Sequence, residues 1–327
     1  MMNLEKARIM PVNSTKTLRW KEDIRKSVDM YNDWFLRFAP KAYRDTRAKT
    51  TETVEKAMAT TRNLRDLGAD MLRTHPEVLS VLRMATCPPL AIDRLIGLAG
   101  VPGALVKTME KLGRLPPKLP AGRVTTELKR IGEVIQKLVD RDILVWLDRK
   151  DEPSEEEIHR ASTVVADRLC GAQANPIIRN AQEQRQLDRM NEWLSVRGYK
   201  KVKPSEVIDL RRMLPGTFCF RLNVSVRQEL RRLNVPVDAV IMPKAPGGHG
   251  LPLFVEAKSA GDYANVNKRR KEEATKLSQL RKTHGRRIRY VLFLGGYFDS
   301  GYLGYEASEG MDWVWEHRID DFARMGL

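Results

Sequence analysis

The sequence has only three cysteines, Cys87, Cys170 and Cys219, and no two of them form a CxxC pair. This spacing excludes a disulfide framework and a zinc ribbon, and it is typical of a protein from a reducing compartment. The five histidines show no metal-ligand spacing either. We therefore expect neither a structural zinc site nor a catalytic triad built on a cysteine or serine.

Long apolar runs are also missing. No segment approaches the ~20 consecutive apolar residues that a membrane-spanning helix needs, and the first residues, MMNLEKARIM, lack the apolar stretch of a secretory signal. The glycine-rich segment from Gly247 to Gly250 has no Gly-Lys-Ser/Thr after it, so it is not a phosphate-binding loop of the Walker type. We expect a soluble, cytoplasmic protein.

Acidic residues are outnumbered by basic ones. The chain has 58 lysines and arginines against 42 aspartates and glutamates, a net charge of +16. Charge alone predicts attraction to polyanions that weakens with salt, and it leaves membrane surfaces and acidic proteins open as partners. Its distribution is more informative, because ten basic residues fall between Arg197 and Arg232 and ten more between Lys268 and Arg289. Both groups flank the acidic motif described below.

Residues 1–170 have the pattern of a helical domain. Apolar residues recur at three- and four-residue spacing, and prolines such as Pro40 and the cluster Pro116–Pro120 mark breaks between helices. Ser154 and Glu157 have the spacing of a capping box at the start of the last helix, which should end near Gly171. This half shows no motif for chemistry.

Residues 171–327 change to alternating helices and strands. Asn175-Pro176 is typical of a helix start, and the helix should continue to about Arg197. A basic helix is expected at about 266–284, and a tail helix over Met311–Phe322, with Trp313 and Trp315 as packing anchors. Strands are predicted at Thr217–Val224, Val235–Met242, Leu251–Lys258 and Ile288–Leu294. The order helix, three strands, helix, strand predicts an α/β domain.

Two of these strands contain acids where apolar residues are expected. Asp238 interrupts an apolar strand, and such a buried acid is costly unless something pairs with it. Glu256 and Lys258 are two residues apart in the next strand, so both lie on one face of it. The glycine-rich turn 244–250 joins the strands, and an antiparallel pairing would bring Asp238 close to Glu256.

Two converging carboxylates with a neighbouring lysine suit phosphodiester hydrolysis. Mg²⁺ prefers oxygen ligands, so Asp238, Glu256 and the Ala257 carbonyl are candidate ligands. The metal would polarise a phosphate and activate water, while Lys258 orients or deprotonates that water or neutralises developing charge. The alternative is a buried salt bridge between Lys258 and one of the acids.

The motif and its context resemble the PD-(D/E)XK nuclease superfamily. Pro236-Val237-Asp238 stands where that superfamily has Pro-Asp, with one valine inserted, and Glu256-Ala257-Lys258 matches (D/E)XK. The resemblance implies an α/β fold, a restriction-endonuclease-like core in which helices flank a mixed central sheet, at residues 171–327. An N-terminal all-α domain, residues 1–170, would precede it and serve DNA recognition or dimerisation.

Longer runs resemble Type II restriction endonucleases of the XamI family. The resemblance rests on three segments: Val255 to Glu273, Gly295-Gly296-Tyr297-Phe298, and Asp312 to Arg318. It covers residues 175–322 well and is fainter in the helical half, where it depends on Cys87 to Leu90 and Asp93 to Leu98.

Glu183 is a candidate fourth member of the site. It falls on the apolar stripe formed by Leu187, Met190 and Leu194 in the helix that follows Pro176. The resemblance implies a role for such an acid in the outer shell of the metal or at a second ion. Pairing with Arg179 or Arg185 at the edge of the stripe is the alternative.

The basic helix after the catalytic strand is the predicted DNA contact. Asn265 or Asn267 can cap it, and Lys268, Arg269, Arg270 and Lys271 cluster on its first turns. Helix N-termini favour phosphate, and arginine and asparagine can also read base edges. A solvated cationic face is the competing interpretation.

The sequence thus predicts a Mg²⁺-dependent Type II restriction endonuclease that hydrolyses double-stranded DNA. The resemblance implies a homodimer, since palindromic sites suit two-fold protein symmetry, and a cognate methyltransferase that protects the same site. Two alternatives stay open: a structure-specific repair or junction nuclease of the same fold, and a non-catalytic DNA-binding protein.

Overall fold

The computed structural model describes residues 11–117, 120–228, 231–245, 250–264 and 270–327. These residues belong to two compact units. One unit is Ala39–Ile178, and the other combines the N-terminal segment up to Phe38 with Arg179–Leu327. The boundary predicted from the sequence lies at residue 170, with the N-terminal segment in the helical half. The roles predicted for the two domains stay predictions.

The unit Ala39–Ile178 is built from helices around one apolar core. Leu72, Leu79, Leu82 and Trp146 are completely buried in it, and a buried ion pair joins Arg83 to Glu110. No helix in the described parts of the chain is long and apolar enough to cross a membrane. The helices that form this unit, in whole or in part, are α1 (Thr17–Thr60), α2 (Ala69–Thr74), α3 (Leu79–Met84), α4 (Ile92–Ala99), α5 (Gly103–Leu112), α6 (Ala121–Leu138) and α7 (Glu155–Val196).

Two prolines predicted to separate helices lie inside them instead. Pro40 is within α1 and Pro176 within α7, so the expected break and the expected helix start are both wrong. A proline removes one backbone N–H from a helix, but apolar burial on both sides can offset that cost. The boundaries between the two units fall next to these two prolines.

The start of α7 follows the sequence prediction. The Ser154 hydroxyl accepts a hydrogen bond from the Glu157 N–H at 3.2 Å, and the Glu157 carboxylate accepts one from the Ser154 N–H at 2.8 Å. This reciprocal pair satisfies backbone donors that no helical carbonyl can reach. The predicted capping box is confirmed.

The other unit contains a mixed sheet of six strands in sequence order. Strands β2, β3 and β4 are antiparallel neighbours, whereas β1 is parallel to β2, and β4, β5 and β6 are parallel to one another. The four predicted strands are confirmed as β2 to β5. The strands are β1 (Lys200–Lys201), β2 (Thr217–Gln228), β3 (Arg231–Ile241), β4 (Leu253–Ala260), β5 (Arg289–Gly296) and β6 (Asp312–Trp315).

Helices cover both faces of this sheet. On one face, α8 (Arg270–His284) and α9 (Ser300–Ser308) contribute Leu277, Leu280 and Leu303 to a core with Phe254 of β4. On the other, α7 contributes Met190 to a core with Val255. Because successive strand residues alternate between faces, β4 is apolar on both sides until Glu256. The strands β3 and β4 are therefore buried on both faces up to the positions of Asp238 and Glu256.

The predicted tail helix over Met311–Phe322 is wrong in its first part. Residues Asp312–Trp315 form β6, which pairs with β5, and a 3-10 helical segment follows at Glu316–Met325. Trp313 and Trp315 are completely buried, which confirms them as packing anchors. Aromatic and β-branched side chains packed on both faces favour a strand over a helix.

Gly132 in α6 provides a test of how the helical unit packs. A methyl group there would run into the carbonyl oxygen of Leu67, whereas one at Gly122 of the same helix would meet nothing. Alanine normally stabilises a helix relative to glycine by about 0.5–1 kcal/mol. We expect Gly132→Ala to destabilise the protein by about 1–3 kcal/mol through overpacking, measured as a lower midpoint of thermal unfolding. Gly122→Ala is the matched control, with an unchanged or higher midpoint. Equal midpoints for the two variants would contradict this packing.

Candidate active site

Asp238 lies where the pairing of β3 with β4 ends. The ladder runs from Ile241↔Leu253 to Ala239↔Val255, and continuing that register by one residue sets Asp238 opposite Glu256. There the Asp238 carboxylate accepts a hydrogen bond from the Ala257 N–H at 2.8 Å. The Asp238 side chain thus takes the place of the next backbone acceptor in the ladder. The two carboxylates predicted to meet, those of Asp238 and Glu256, are brought together.

On the side of β2, Asp238 is likewise left out of the regular backbone pairing. The pairing of β2 with β3 keeps one register but skips the position where Arg221 faces Asp238. Arg221 has a φ of 54°, which is unusual for a residue with a side chain. Its guanidinium donates to the Glu183 carboxylate at 3.0 Å. Glu183 therefore pairs with Arg221 and not with Arg179 or Arg185, the two partners considered from sequence.

A network of charges surrounds Glu256 and Lys258. The Lys258 ammonium lies 3.3 Å from one Glu256 oxygen and 2.8 Å from a Glu273 oxygen. The other Glu256 oxygen accepts a hydrogen bond from the Lys276 ammonium at 2.6 Å. The Glu273 side chain is only 1% exposed. Each lysine thus neutralises Glu256 from a different direction, and Glu273 is a second counter-ion for Lys258 alone.

Glu273 and Lys276 come from α8 and were not among the predicted site residues. They are three residues apart, so they lie on one face of the helix. That face continues into Leu277 and Leu280, which are buried. Charged residues bordering an inward apolar stripe were the available signal. It was missed because Glu273 and Lys276 lie in a strongly charged segment.

Burial and a neighbouring negative charge shift the pKa of Asp238. Burial raises the pKa of Asp238 to about 6, and the negative charge of Glu256 adds to the shift. The Ala257 N–H and the Lys276 ammonium act in the opposite direction, while Glu183 raises the pKa slightly further. Burial alone would lower the pKa of Lys258, but Glu256 and Glu273 outweigh it, and the pKa is raised. Lys258 is therefore a protonated cation beside a repelling pair of acids.

Tyr290 of β5 adds a buried hydroxyl to this environment. Burial and the charges of Glu256, Glu273 and Asp238 raise its pKa well above the usual value, so it stays a neutral phenol. Among the described residues its hydroxyl has no hydrogen-bond partner. Such a group adds a cost of burial and contributes no charge to the site.

Gln186 holds the ends of the two parallel strands behind the site. It is completely buried in α7, and its side-chain amide donates to the Lys258 carbonyl at 3.2 Å and the Phe293 carbonyl at 3.1 Å. A methyl group at Gly295 would collide with the Glu316 carboxylate and crowd Gln186. Gln186 is a positioning residue that sequence reasoning missed, although a glutamine next to Leu187 on the inward side of a helix is a usable signal.

The donor set at this site fits a hard cation with few protein ligands. Asp238 and Glu256 offer carboxylate oxygens, and their mutual repulsion would be relieved by a positive ion between them. Within the described residues, no group of three or more Asp, Glu, His or Cys side chains is arranged to share one metal. Mg²⁺ commonly binds in this way, with one or two carboxylates and with water or phosphate oxygens completing its shell.

The predicted DNA contacts are only partly within the described chain. Asn265, Asn267, Lys268 and Arg269 lie outside the described residues. Arg270 and Lys271 open α8, the same helix whose Glu273 reaches Lys258. The start of the basic helix is therefore close in sequence to the site, and contact with DNA stays a prediction.

Comparisons with known proteins give a consistent result. The family described as XamI restriction endonuclease matches residues 62–315. The Type II restriction enzyme SalI of Streptomyces albus G is 51% identical over 317 residues, which cover 96% of this chain and 99% of that protein. No solved structure matches the chain significantly.

The raised pKa of Asp238 predicts how stability depends on pH without metal. Its ordinary pKa is 3.8, so the ionised form is disfavoured in the folded protein, and the resulting loss of stability begins above pH 3.8 and is complete once the pH exceeds about 6. Asp238→Asn stays neutral and keeps an acceptor for the Ala257 N–H. We expect this variant to be more stable than wild type above pH 6, by up to about 3 kcal/mol, and equally stable near pH 4.

The measurement is thermal unfolding in EDTA from pH 4 to pH 8. Asp29→Asn, at an exposed position of α1, is the matched control and should follow wild type throughout. A constant difference between Asp238→Asn and wild type across this range would show that Asp238 is not destabilised by its charge.

Proposed function

The chain belongs to the XamI restriction endonuclease family, and we propose that it is a Type II restriction endonuclease that cuts double-stranded DNA at a specific sequence. The observation on which this rests is the convergence of Asp238, Glu256 and Lys258 at the end of the β3–β4 pairing. Two acids and a lysine held there are suited to phosphodiester hydrolysis and have no evident structural purpose as a set. The like-charge pair costs stability.

We assign the sheet with α7 and α8 to a PD-(D/E)XK core. Support comes from the order of elements, in which α7 is followed by the two-residue strand β1 and then by β2, β3, β4, α8 and β5. The acids and the lysine occupy the positions of that motif, with Val237 inserted before Asp238. The helical residues before the core would form an N-terminal all-α domain for DNA recognition or dimerisation.

The cofactor in this proposal is a divalent cation, Mg²⁺ in the cell. Asp238 and Glu256 would hold it together with the Ala257 carbonyl, and Glu183 would act from its outer shell. When bound, Mg²⁺ polarises the scissile phosphate and makes water a better nucleophile at neutral pH. The carboxylates supply the negative charge that retains the ion beside a polyanionic substrate.

Lys258 would orient the attacking water and neutralise charge that develops on the phosphate. Its pKa is raised by Glu256 and Glu273, which favours a role as a protonated donor over one as a general base. Glu273 keeps its ammonium in place from the side of α8. Water adds to phosphorus, the bond from phosphorus to the 3′ oxygen breaks, and the products carry a 5′-phosphate and a 3′-hydroxyl.

The proposal implies partners as well as a substrate. A palindromic target would be met by a homodimer, because two-fold DNA symmetry suits two-fold protein symmetry. A methyltransferase that modifies the same sequence would protect the host DNA, and both enzymes would act in the cytoplasm. Arg270 and Lys271 would contact the DNA, together with Asn265, Asn267, Lys268 and Arg269.

Cleavage of genomic DNA tests this function. We expect purified protein with Mg²⁺ to produce discrete fragments whose sequenced ends share one motif and carry 5′-phosphates, and EDTA to abolish cutting. Asp238→Ala and Lys258→Ala should each reduce the cleavage rate at least about 10³-fold, as loss of a catalytic group does. Asp29→Asn should cut at the wild-type rate.

Other outcomes distinguish the alternatives. Cutting confined to branched or damaged DNA would favour a repair or junction nuclease. DNA binding without cutting under any divalent ion, by wild type and Asp238→Ala alike, would overturn the catalytic assignment and leave a DNA-binding protein.

A further inference from the structure

The site holds two lysines that differ in what they would keep after a cation binds. Lys258 has two acidic partners, Glu256 at 3.3 Å and Glu273 at 2.8 Å. For Lys276, the one acidic partner within salt-bridge distance in the described chain is Glu256, at 2.6 Å. A cation that takes the Glu256 oxygens would leave Lys258 with Glu273 and would leave Lys276 without a counter-ion.

The ammonium of Lys276 occupies the region where a cation would be attracted. It binds Glu256 directly, and its charge also lowers the pKa of Asp238. Both candidate metal ligands therefore feel the same ammonium. The Lys276 ammonium thus supplies both acids with the positive charge that a bound cation would otherwise supply.

The sum of the charges at the site indicates where the Lys276 ammonium would move. Asp238, Glu256 and Glu273 give three negative charges against the two positive charges of Lys258 and Lys276. This leaves one negative charge, since Glu183 is already paired with Arg221. A divalent ion would change the balance to one positive charge. One phosphodiester group would then neutralise the site.

We propose that Lys276 is a phosphate-binding residue whose ammonium transfers from Glu256 to the scissile phosphate when a divalent ion takes its place. The inference rests on the proposed nuclease function and deepens it. Before the ion binds, Lys276 competes with it for Glu256. Once the ion is bound, the same lysine binds the substrate. The lysine side chain is long enough to serve both positions from a fixed helix, because four rotatable bonds separate its ammonium from the backbone.

Opposite changes in metal and DNA affinity test this inference. Lys276→Met keeps most of the side-chain volume and removes the charge. We expect its affinity for Ca²⁺ alone, measured by isothermal titration calorimetry without DNA, to rise at least about tenfold, because a competing charge is gone. Its affinity for a duplex bearing the cleaved sequence, measured with Ca²⁺ present, should fall about 10- to 100-fold because a charged hydrogen bond is lost.

Two further variants serve as controls. Lys276→Arg keeps the charge and should resemble wild type in its affinity for Ca²⁺. Lys276→Gln also removes the charge, and it replaces Lys276→Met with the same two expected changes if that variant fails to fold. Lys282→Met removes an exposed charge from the same helix and should leave the affinity for Ca²⁺ unchanged. A merely structural lysine would give lower affinity for both Ca²⁺ and DNA when replaced.

The outcomes separate this inference from the proposed function. If wild type cuts DNA but Lys276→Met binds Ca²⁺ no more tightly, or binds the duplex as well as wild type does, the transfer is excluded. If wild type cuts no DNA, the nuclease function fails. The Ca²⁺ titrations then still decide whether Lys276 competes with a cation.

Discussion

Two carboxylates face each other across the end of a β ladder, and the surrounding structure compensates for their repulsion. Asp238 and Glu256 are buried together, which raises the pKa of Asp238 to about 6. A backbone N–H supports one acid and two ammonium groups support the other. One of these ammonium groups is in turn held by Glu273, which is buried in α8. The helix is thus attached to the sheet by two ion pairs, Glu273 with Lys258 and Lys276 with Glu256, and by Leu277 and Leu280 along its length. Removing Lys258 would leave Glu273 without an ion-pair partner among the described residues, which is far more costly than never having placed the acid there, whereas removing Lys276 leaves Glu256 paired with Lys258.

The local part of this site could be predicted from sequence. A strand fixes that residues two apart share a face, so Glu256 and Lys258 had to be neighbours, and an apolar strand interrupted by Asp238 required a partner. The contacts of Glu273, Lys276 and Gln186 could not be predicted in the same way, because they depend on how helices dock on the sheet. The errors have local causes as well. Asn175-Pro176 predicts a helix start because a capping residue followed by proline usually marks one, yet Pro176 lies inside α7. The helical spacing predicted for Asp312–Trp315 gives way to strand pairing with β5, in which Trp313 and Trp315 pack on one face and Val314 on the other.

Stability and chemistry compete in this arrangement. Without a cation, the like-charged pair destabilises the fold, and the Tyr290 hydroxyl, which has no hydrogen-bond partner in the described part of the chain, adds a further cost of burial. Neither cost would persist in a protein whose only task was to fold, since apolar residues of similar size would serve β3, β4 and β5 better. Gln186 stabilises the fold, because its amide fixes the ends of β4 and β5 behind the charged groups. The lack of a side chain at Gly295 leaves the space that Gln186 and Glu316 need. A rigid support under a repelling pair is expected where a site is preorganised for a ligand.

The skipped pair at Arg221 and Asp238 has a mechanical consequence. On one side of this position β3 is paired with both neighbours, and on the other side it is paired with β2 alone, so β2 and β3 continue as a two-stranded ribbon. That ribbon is joined to the last turn of α8, where the Thr283 hydroxyl accepts a hydrogen bond from the Arg227 N–H at 2.7 Å. Asp238 therefore lies where the ribbon leaves the sheet, and the ribbon is hydrogen-bonded to the helix that bears Glu273 and Lys276. A ligand that presses on the ribbon would act on the strand of Asp238 and on that helix as well.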